Sequence, residues 1–216
     1  MEVIPMKALI LAAGMGKRLK PITDRIPKTL IKVEDKPILG HILTNIKQCG
    51  IEDVLIVTGY KDELIHKYVG NGSKWGLNVN YCHNKSYNTT ENIFSVDLAA
   101  HELEGDDFVL INADDLFSPF ILWKLIEIKR PACCTSGYIM HHGGFYFQEA
   151  IHDLSASEYP VTYINVGNEP WIEVDDHFDL KWAKTPMIHM IKERLKLLGQ
   201  KIKAIRKKNS KSLLIS

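Results

Sequence analysis

The hydrophobic pattern of this chain switches repeatedly between a short run and a helical period. Residues 7–13, Lys-Ala-Leu-Ile-Leu-Ala-Ala, make a short, largely apolar run of strand length that ends at Gly14 and Gly16. Ile38, Leu39, Ile42, Leu43 and Ile46 then recur at helical spacing between Pro37 and Gly50. Residues 53–58 form a second apolar run, residues 61–69 read as a helix, and Gly70-Asn71-Gly72 marks a loop. A third strand over 79–83, a helix over 92–101 and a fourth strand over 108–112 follow. Ser118 and Pro119 supply an N-cap and a first-turn proline for a helix through Lys129.

Strands alternating with helices imply βαβ units, and so an α/β fold whose mainly parallel, mixed sheet carries helices on both faces as a three-layer sandwich. In such sheets ligands gather at the carboxyl ends of the strands. Gly14 and Asp114 each sit just past a strand, which puts them on one edge.

The second half is less regular. Residues 131–157 include Cys133, Cys134, His141, His142, Gly143 and Gly144; adjacent histidines diverge in extended chain and do not suit one metal. Residues 159–175 read as a strand, a glycine turn and then Trp171-Ile-Glu-Val-Asp175. In an extended strand Glu173 and Asp175 share a face while Ile172 and Val174 point into packing. Two carboxylates on one face repel unless a cation lies between them. Residues 176–183 look helical, Pro186 interrupts, and 187–208 form a basic amphipathic helix with Met190, Ile191, Leu195, Leu198, Ile202 and Ile205 on its apolar side. That side suits packing on the body or on a second subunit, which leaves a homo-oligomer open. We divide the chain into a domain over 1–186 and a C-terminal helix and tail over 187–216.

Composition narrows the partners. The 216 residues carry a net charge of +1, yet residues 192–216 hold nine basic side chains and one acidic, or +8, leaving about −7 on the rest. An acidic body with a basic tail is not a general polyanion binder, so no nucleic-acid partner is expected. No run approaches the roughly 18 apolar residues of a membrane helix, and no signal-peptide core opens the chain, so we expect a cytoplasmic protein without an integral membrane segment. Cys49, Cys82, Cys133 and Cys134 lack metal-site or disulfide spacing.

The chemistry concentrates in residues 11–30. Two glycines after a strand let backbone amides face anionic oxygens, with Lys17, Arg18 and Lys28 close by. The spacing fits neither the Walker A pattern nor the dinucleotide fingerprint, because Arg18 follows the lysine and Leu19 stands at the third glycine position. Leu11-Ala12-Ala13-Gly14-Met15-Gly16-Lys17-Arg18-Leu19, with Pro21, Thr23, Pro27, Lys28 and Leu30, matches LAAGxGxRLxPxTxxxPKxL without a gap. This signature resembles that of the nucleotidyltransferases that join a nucleoside monophosphate to a phosphorylated sugar, polyol or amino alcohol.

The resemblance implies a Rossmann-like fold, shortened here in its second half, and a Mg2+-dependent transfer from a nucleoside triphosphate to a phosphorylated small molecule. It implies that Leu11, Ala12, Ala13, Gly14, Gly16, Lys17 and Arg18 bind the nucleotide, and that Arg18 and Lys28 act on the leaving pyrophosphate and the α-phosphate. Asp114, second in an Ala-Asp pair, and Glu173 and Asp175 in Trp-x-Glu-x-Asp correspond to metal ligands, with Asp115 a turn residue. Residues 88–95 are similar to a segment of the phosphocholine cytidylyltransferase branch, which points to Asn92 and Ser95 as substrate contacts; helix capping by Thr90 or Asn92 is compatible with that. The ending resembles inositol-phosphate cytidylyltransferases, so CTP is the favoured nucleotide. The family's lysine for the acceptor phosphate has no counterpart in the short middle segment. A nucleotide-binding regulatory protein of the same fold, without transferase activity, is the alternative.

Overall fold

A computed structural model describes residues 6–128, 132–135 and 162–212. Lys129, the histidine and glycine pairs at 141–144 and the last four residues lie outside these. From the N-terminus, β1 (Met6–Ala12) leads through short 3-10 turns into a small hairpin, β2 (Lys32–Val33) and β3 (Lys36–Pro37). Then come α1 (Ile38–Cys49), β4 (Asp53–Thr58), α2 (Asp62–Val69), β5 (Asn78–His83), α3 (Asn92–Leu103) and β6 (Asp107–Asn112). The remainder is β7 (Asp115–Phe117), α4 (Pro119–Ile126), β8 (Ala132–Thr135), β9 (Thr162–Asn165), β10 (Trp171–Glu173), α5 (His177–Trp182) and α6 (Ile188–Ser212).

The central sheet runs β5-β4-β1-β6 with every neighbour parallel. A parallel strand covered on both faces needs a continuous apolar run, which is why β1 reads as one. Ala8, Ile10 and Ala12 enter a core shared with α1 and α2, while Leu9 and Leu11 join Leu55 and Val57 against Ala99 and Leu103 of α3. Three layers result, an α/β sandwich with a mainly parallel sheet. Ile38, Leu39, Ile42, Leu43 and Ile46 of α1 are all buried, and each contributes about 1.5–3 kcal/mol by leaving water.

Two antiparallel strands complete the part of the fold that matters for the site. β10 pairs with β7, setting Trp171 against Phe117, Ile172 against Leu116 and Glu173 against Asp115. Ser118 fastens the junction, its amide donating to Pro170 O at 2.8 Å and its hydroxyl to Glu169 at 2.6 Å. Ser118 also caps α4 by accepting from the Phe120 amide. That helix ends at Ile126 rather than running to Lys129: the Glu127 amide still makes an α-helical bond to Trp123, but the Ile128 amide turns to Leu125, one residue nearer.

After α5 the chain kinks at 183–187, where Pro186 denies an amide and Thr185 leaves helical geometry. Beyond it Ile188, Ile191, Leu198 and Ile202 of α6 are buried in the same core as α1. Lys192 bonds Glu34 and Asp35 of the hairpin turn, and Gln48 of α1 donates to Leu195 O at 2.6 Å. Among the described residues, no helix is long and apolar enough to cross a membrane.

Candidate active site

Four strand exits share the carboxyl edge of the central sheet, and backbone hydrogen bonds tie three of them together. Leu11 O accepts from the Ala113 amide at 3.1 Å, and Ala13 O accepts from Tyr60 at 3.0 Å. The loop from Gly14 to Gly16 therefore stands between the exits of β4 and β6. Gly16 has φ +59°, and a Cβ there would lie 2.9 Å from Lys28 Cβ. Only glycine accepts both that conformation and that neighbour. The Thr23 hydroxyl donates to Gly16 O at 3.0 Å, and buried Leu19 anchors the turn that carries Lys17 and Arg18.

The carboxylates arrive from the other side. Asp114 occupies the turn between β6 and β7, and its carbonyl accepts from the Val174 amide at 3.0 Å. That bond places the end of β10 beside Asp114. The strand itself stops at Glu173, so Asp175 is set by the next element: its amide donates to Asp179 in the capping box with which Asp176 opens α5. Asp114, Glu173 and Asp175 each offer an oxygen within 4.8 Å of the others.

Two cations cross to them. Lys28 Nζ lies 2.6 Å from Asp114 Oδ2 and 2.7 Å from Asp175 Oδ1, and Arg18 Nη2 lies 2.6 Å from Asp175 Oδ2. Lys28 is nearly buried, whereas Arg18 is 63% exposed. Burial pulls the Lys28 ammonium down, but its bonds to Asp114 and Asp175 outweigh it and hold the pKa above the ordinary value. Burial pushes Asp175 up, and Lys28 and Arg18 together carry it below the usual range. Glu173 has no such partner; burial, then Asp114 and Asp175, raise it to about 7.

Three hard oxygen donors converging around cationic side chains suit a divalent cation such as magnesium. With the protein alone, Lys28 and Arg18 supply the countercharge. A carboxyl that holds its proton up to about pH 7, where Glu173 titrates in the metal-free protein, is one whose proton a metal can replace.

Asp115 is not the turn residue the sequence suggested. It begins β7 opposite Glu173, its Oδ1 is sealed from solvent without a hydrogen-bond partner, and burial, followed by Asp114 and Glu173, pushes its pKa well above the carboxylate range. Adjacent residues diverge, so only Asp114 of the pair joins the cluster.

A cleft of about 320 Å³ is lined by Gly14 to Arg18, Lys28, Asp114 and Asp175, and also by Tyr87 and Asn88 from the loop after β5. Sequence reasoning named neither as a contact: Tyr87 was passed over and Asn88 only opened the segment that pointed to Asn92 and Ser95, although their place beyond a strand's carboxyl end was the available signal. Leu11, Ala12 and Ala13 are buried in the strand exit below the cleft. Asn92 is exposed at the start of α3, and Ser95 is buried beneath the loop; neither lines the cleft. Glu91, rather than Thr90 or Asn92, stands at the N-cap of α3, with no side-chain capping bond. The Thr90 hydroxyl is held instead by Asn84 and Ser86.

Residues 7–130, which supply the glycine loop, both cations and Asp114, match the family model described as nucleotidyl transferase. The chain belongs to this family. It is 36% identical over 111 residues to an N-acetylmuramate alpha-1-phosphate uridylyltransferase of Neisseria meningitidis, covering 51% of this chain and 48% of that protein. It is 31% identical over 157 residues to a choline-phosphate cytidylyltransferase of Streptococcus pneumoniae, covering 70% of this chain and 66% of the relative. The chain thus spans about half to two thirds of the length of these two nucleotidyltransferases. In fold it is similar to the inositol-1-phosphate CTP transferase from T. maritima, with a TM-score of 0.64 and 18% identity over 90% of this chain and 97% of that one.

Proposed function

We propose that this nucleotidyltransferase-family chain moves a nucleoside monophosphate from a nucleoside triphosphate, CTP by preference, to a phosphorylated alcohol, polyol or sugar, releasing pyrophosphate with Mg2+ as its metal. One observation carries the reading: Asp114, Glu173 and Asp175 converge beside Lys28 and Arg18 at the mouth of the glycine loop. The preference for CTP leans on the choline-phosphate cytidylyltransferase among the relatives, while the uridylyltransferase keeps UTP in the test.

The acceptor brings its own nucleophile, a phosphate oxygen already ionised near neutral pH. That oxygen forms a new bond to the α-phosphorus as the bond to the bridging oxygen breaks, and pyrophosphate leaves with the electron pair. No general base is required, so the protein's task is alignment and charge neutralisation. Amides of the Gly14–Gly16 loop face the triphosphate oxygens. Arg18, exposed enough to leave Asp175 for another anion, neutralises the departing pyrophosphate. Lys28 is kept protonated by its carboxylate neighbours and answers the charge that grows at the α-phosphate. Asp114, Glu173 and Asp175 would hold the divalent cation, which supplies positive charge to the α-phosphate when bound.

Pyrophosphate release is the test, with Mg2+, each of CTP, UTP, GTP and dTTP, and a panel of phosphorylated sugars, polyols and amino alcohols. Release with one pair and its loss on chelation support the reading. Silence across the panel, with nucleotide binding intact, turns the chain into a binding protein instead.

A further inference from the structure

The loop after β5 contains no apolar residue but Tyr87 with which to fasten itself, yet it is closely built. Asn84, 1% exposed, is its pivot. The Asn84 amide donates to Thr58 O at 2.8 Å. Its side-chain Oδ1 accepts from the Ser86 amide at 2.9 Å, and its Nδ2 donates to the Thr90 and Ser95 hydroxyls, each at 3.1 Å. The hydroxyls of Thr89 and Thr90 close the turn by donating to Ser86 O at 3.1 and 2.9 Å. A buried amide is costly to leave unpaired, so this network selects one arrangement of the loop.

That arrangement presents Tyr87 and Asn88 to the cleft. Tyr87 rests beside Tyr60 with ring centroids 6.1 Å apart, and its Cβ closes over Gly59 so tightly that a Cβ on that glycine would lie 2.7 Å away. Tyr60 is in turn tied to the glycine loop, its amide to Ala13 O and its hydroxyl to Thr23 O at 2.8 Å.

We propose that Asn84 is a positioning residue for the nucleotide: it pins residues 85–90 to Ser95 of α3, so that Tyr87 and Asn88 form a preset wall opposite the glycine loop. Ser95 then acts through Asn84 and does not touch the ligand. The inference rests on reading this cleft as the nucleotide site. A preset wall lowers the ordering cost of binding, so its loss appears in affinity rather than in the chemical step.

Equilibrium binding of CTP, UTP, GTP and dTTP to the full chain with Mg2+ tests this without requiring turnover. Asn84→Ala weakens the best-bound nucleotide about tenfold or more, and Thr90→Val about threefold, while Thr90→Ser, which keeps the hydroxyl, stays at the wild-type value. Asn88→Ala weakens binding with an unchanged Tm. Where turnover is measured, kcat at saturating nucleotide moves less than about threefold in Asn84→Ala. Wild-type affinity in Asn84→Ala, or equal loss in Thr90→Ser and Thr90→Val, overturns the proposal. Should Asn84→Ala not fold, the two Thr90 variants and Asn88→Ala decide it. A wild-type chain that binds none of the four nucleotides instead overturns the reading of the cleft.

Discussion

One side of the cleft comes from a single stretch, residues 11–28, whose turns are closed by neighbours in sequence such as Thr23 on Gly16. The other side takes Asp114 from the end of β6 and Glu173 and Asp175 from a segment far along the chain, brought together where β10 pairs with β7 and where Val174 bonds Asp114. The first side is cationic and rests on backbone geometry. The second is anionic and rests on strand pairing and a helix cap. Each is the other's counter-ion in the ligand-free protein, through Lys28 and Arg18. Charges so arranged cost less to bury than either group alone. The contrast teaches that the site has one locally encoded half and one half that exists only once the second part of the chain has docked.

The largest effect is expected on the anionic side. Asp114→Asn should cut cation-dependent pyrophosphate release on the order of a thousandfold while nucleotide affinity without the cation changes little. Titration with Mn2+ checks it, and an unaltered cation affinity would remove Asp114 from the metal site.

Next comes the residue that joins the two sides. Lys28→Ala should lower kcat about a hundredfold and nucleotide affinity less than about threefold. An unchanged rate at saturating substrate would make Lys28 a structural ion-pair partner alone.

The cationic side can be probed by its two glycines. Gly16→Ala meets both a positive φ and Lys28, and should cost roughly 1–2 kcal/mol of stability in a denaturant titration. Gly14 has nothing within 4 Å of an added Cβ. Gly14→Ala should therefore leave stability unchanged yet weaken nucleotide binding about tenfold, because the methyl takes the space of the bound phosphates. Equal effects from both would argue that the loop does not receive an anion.

The smallest effect concerns pH. With a folded-state pKa of about 7, against an ordinary 4.5, Glu173 contributes a stability that is fully present below 4.5 and lost as pH rises through 7. Without divalent cation, Glu173→Gln should thus have the higher Tm at pH 8, with the difference fading towards pH 4.5. A constant difference across that range would show that neither burial nor the nearby Asp114 and Asp175 raises Glu173.

Much of the site's cationic side was legible because its parts are adjacent. Apolar runs announced β1, β4 and β6, and the glycine spacing excluded two other phosphate-binding loops. Ser95 shows the limit. The resemblance of residues 88–95 to a family segment suggested a ligand contact, but whether the Ser95 hydroxyl faces the cleft or Asn84 depends on how a distant strand exit is packed. Asp115 shows the same from the other direction: a carboxylate beside Asp114 reads as a turn residue until β10 arrives to pair with it.

The amino-acid sequence by itself determined the succession and type of the main elements along the chain from β1 to β6 and the glycine loop with its neighbouring cations, because periodicity and turn chemistry act over a few residues. It also marked Asp114 as a carboxylate just past a strand and Glu173 and Asp175 as a pair two residues apart. Only the tertiary structure decided that these three share one space, that Lys28 lies between two of them, and that the Ser95 hydroxyl meets Asn84 rather than the cleft. Periodicity tells which face of an element is buried; it does not tell which residue, brought from elsewhere in the chain, stands opposite, and charge pairs and buried hydrogen bonds depend on that partner.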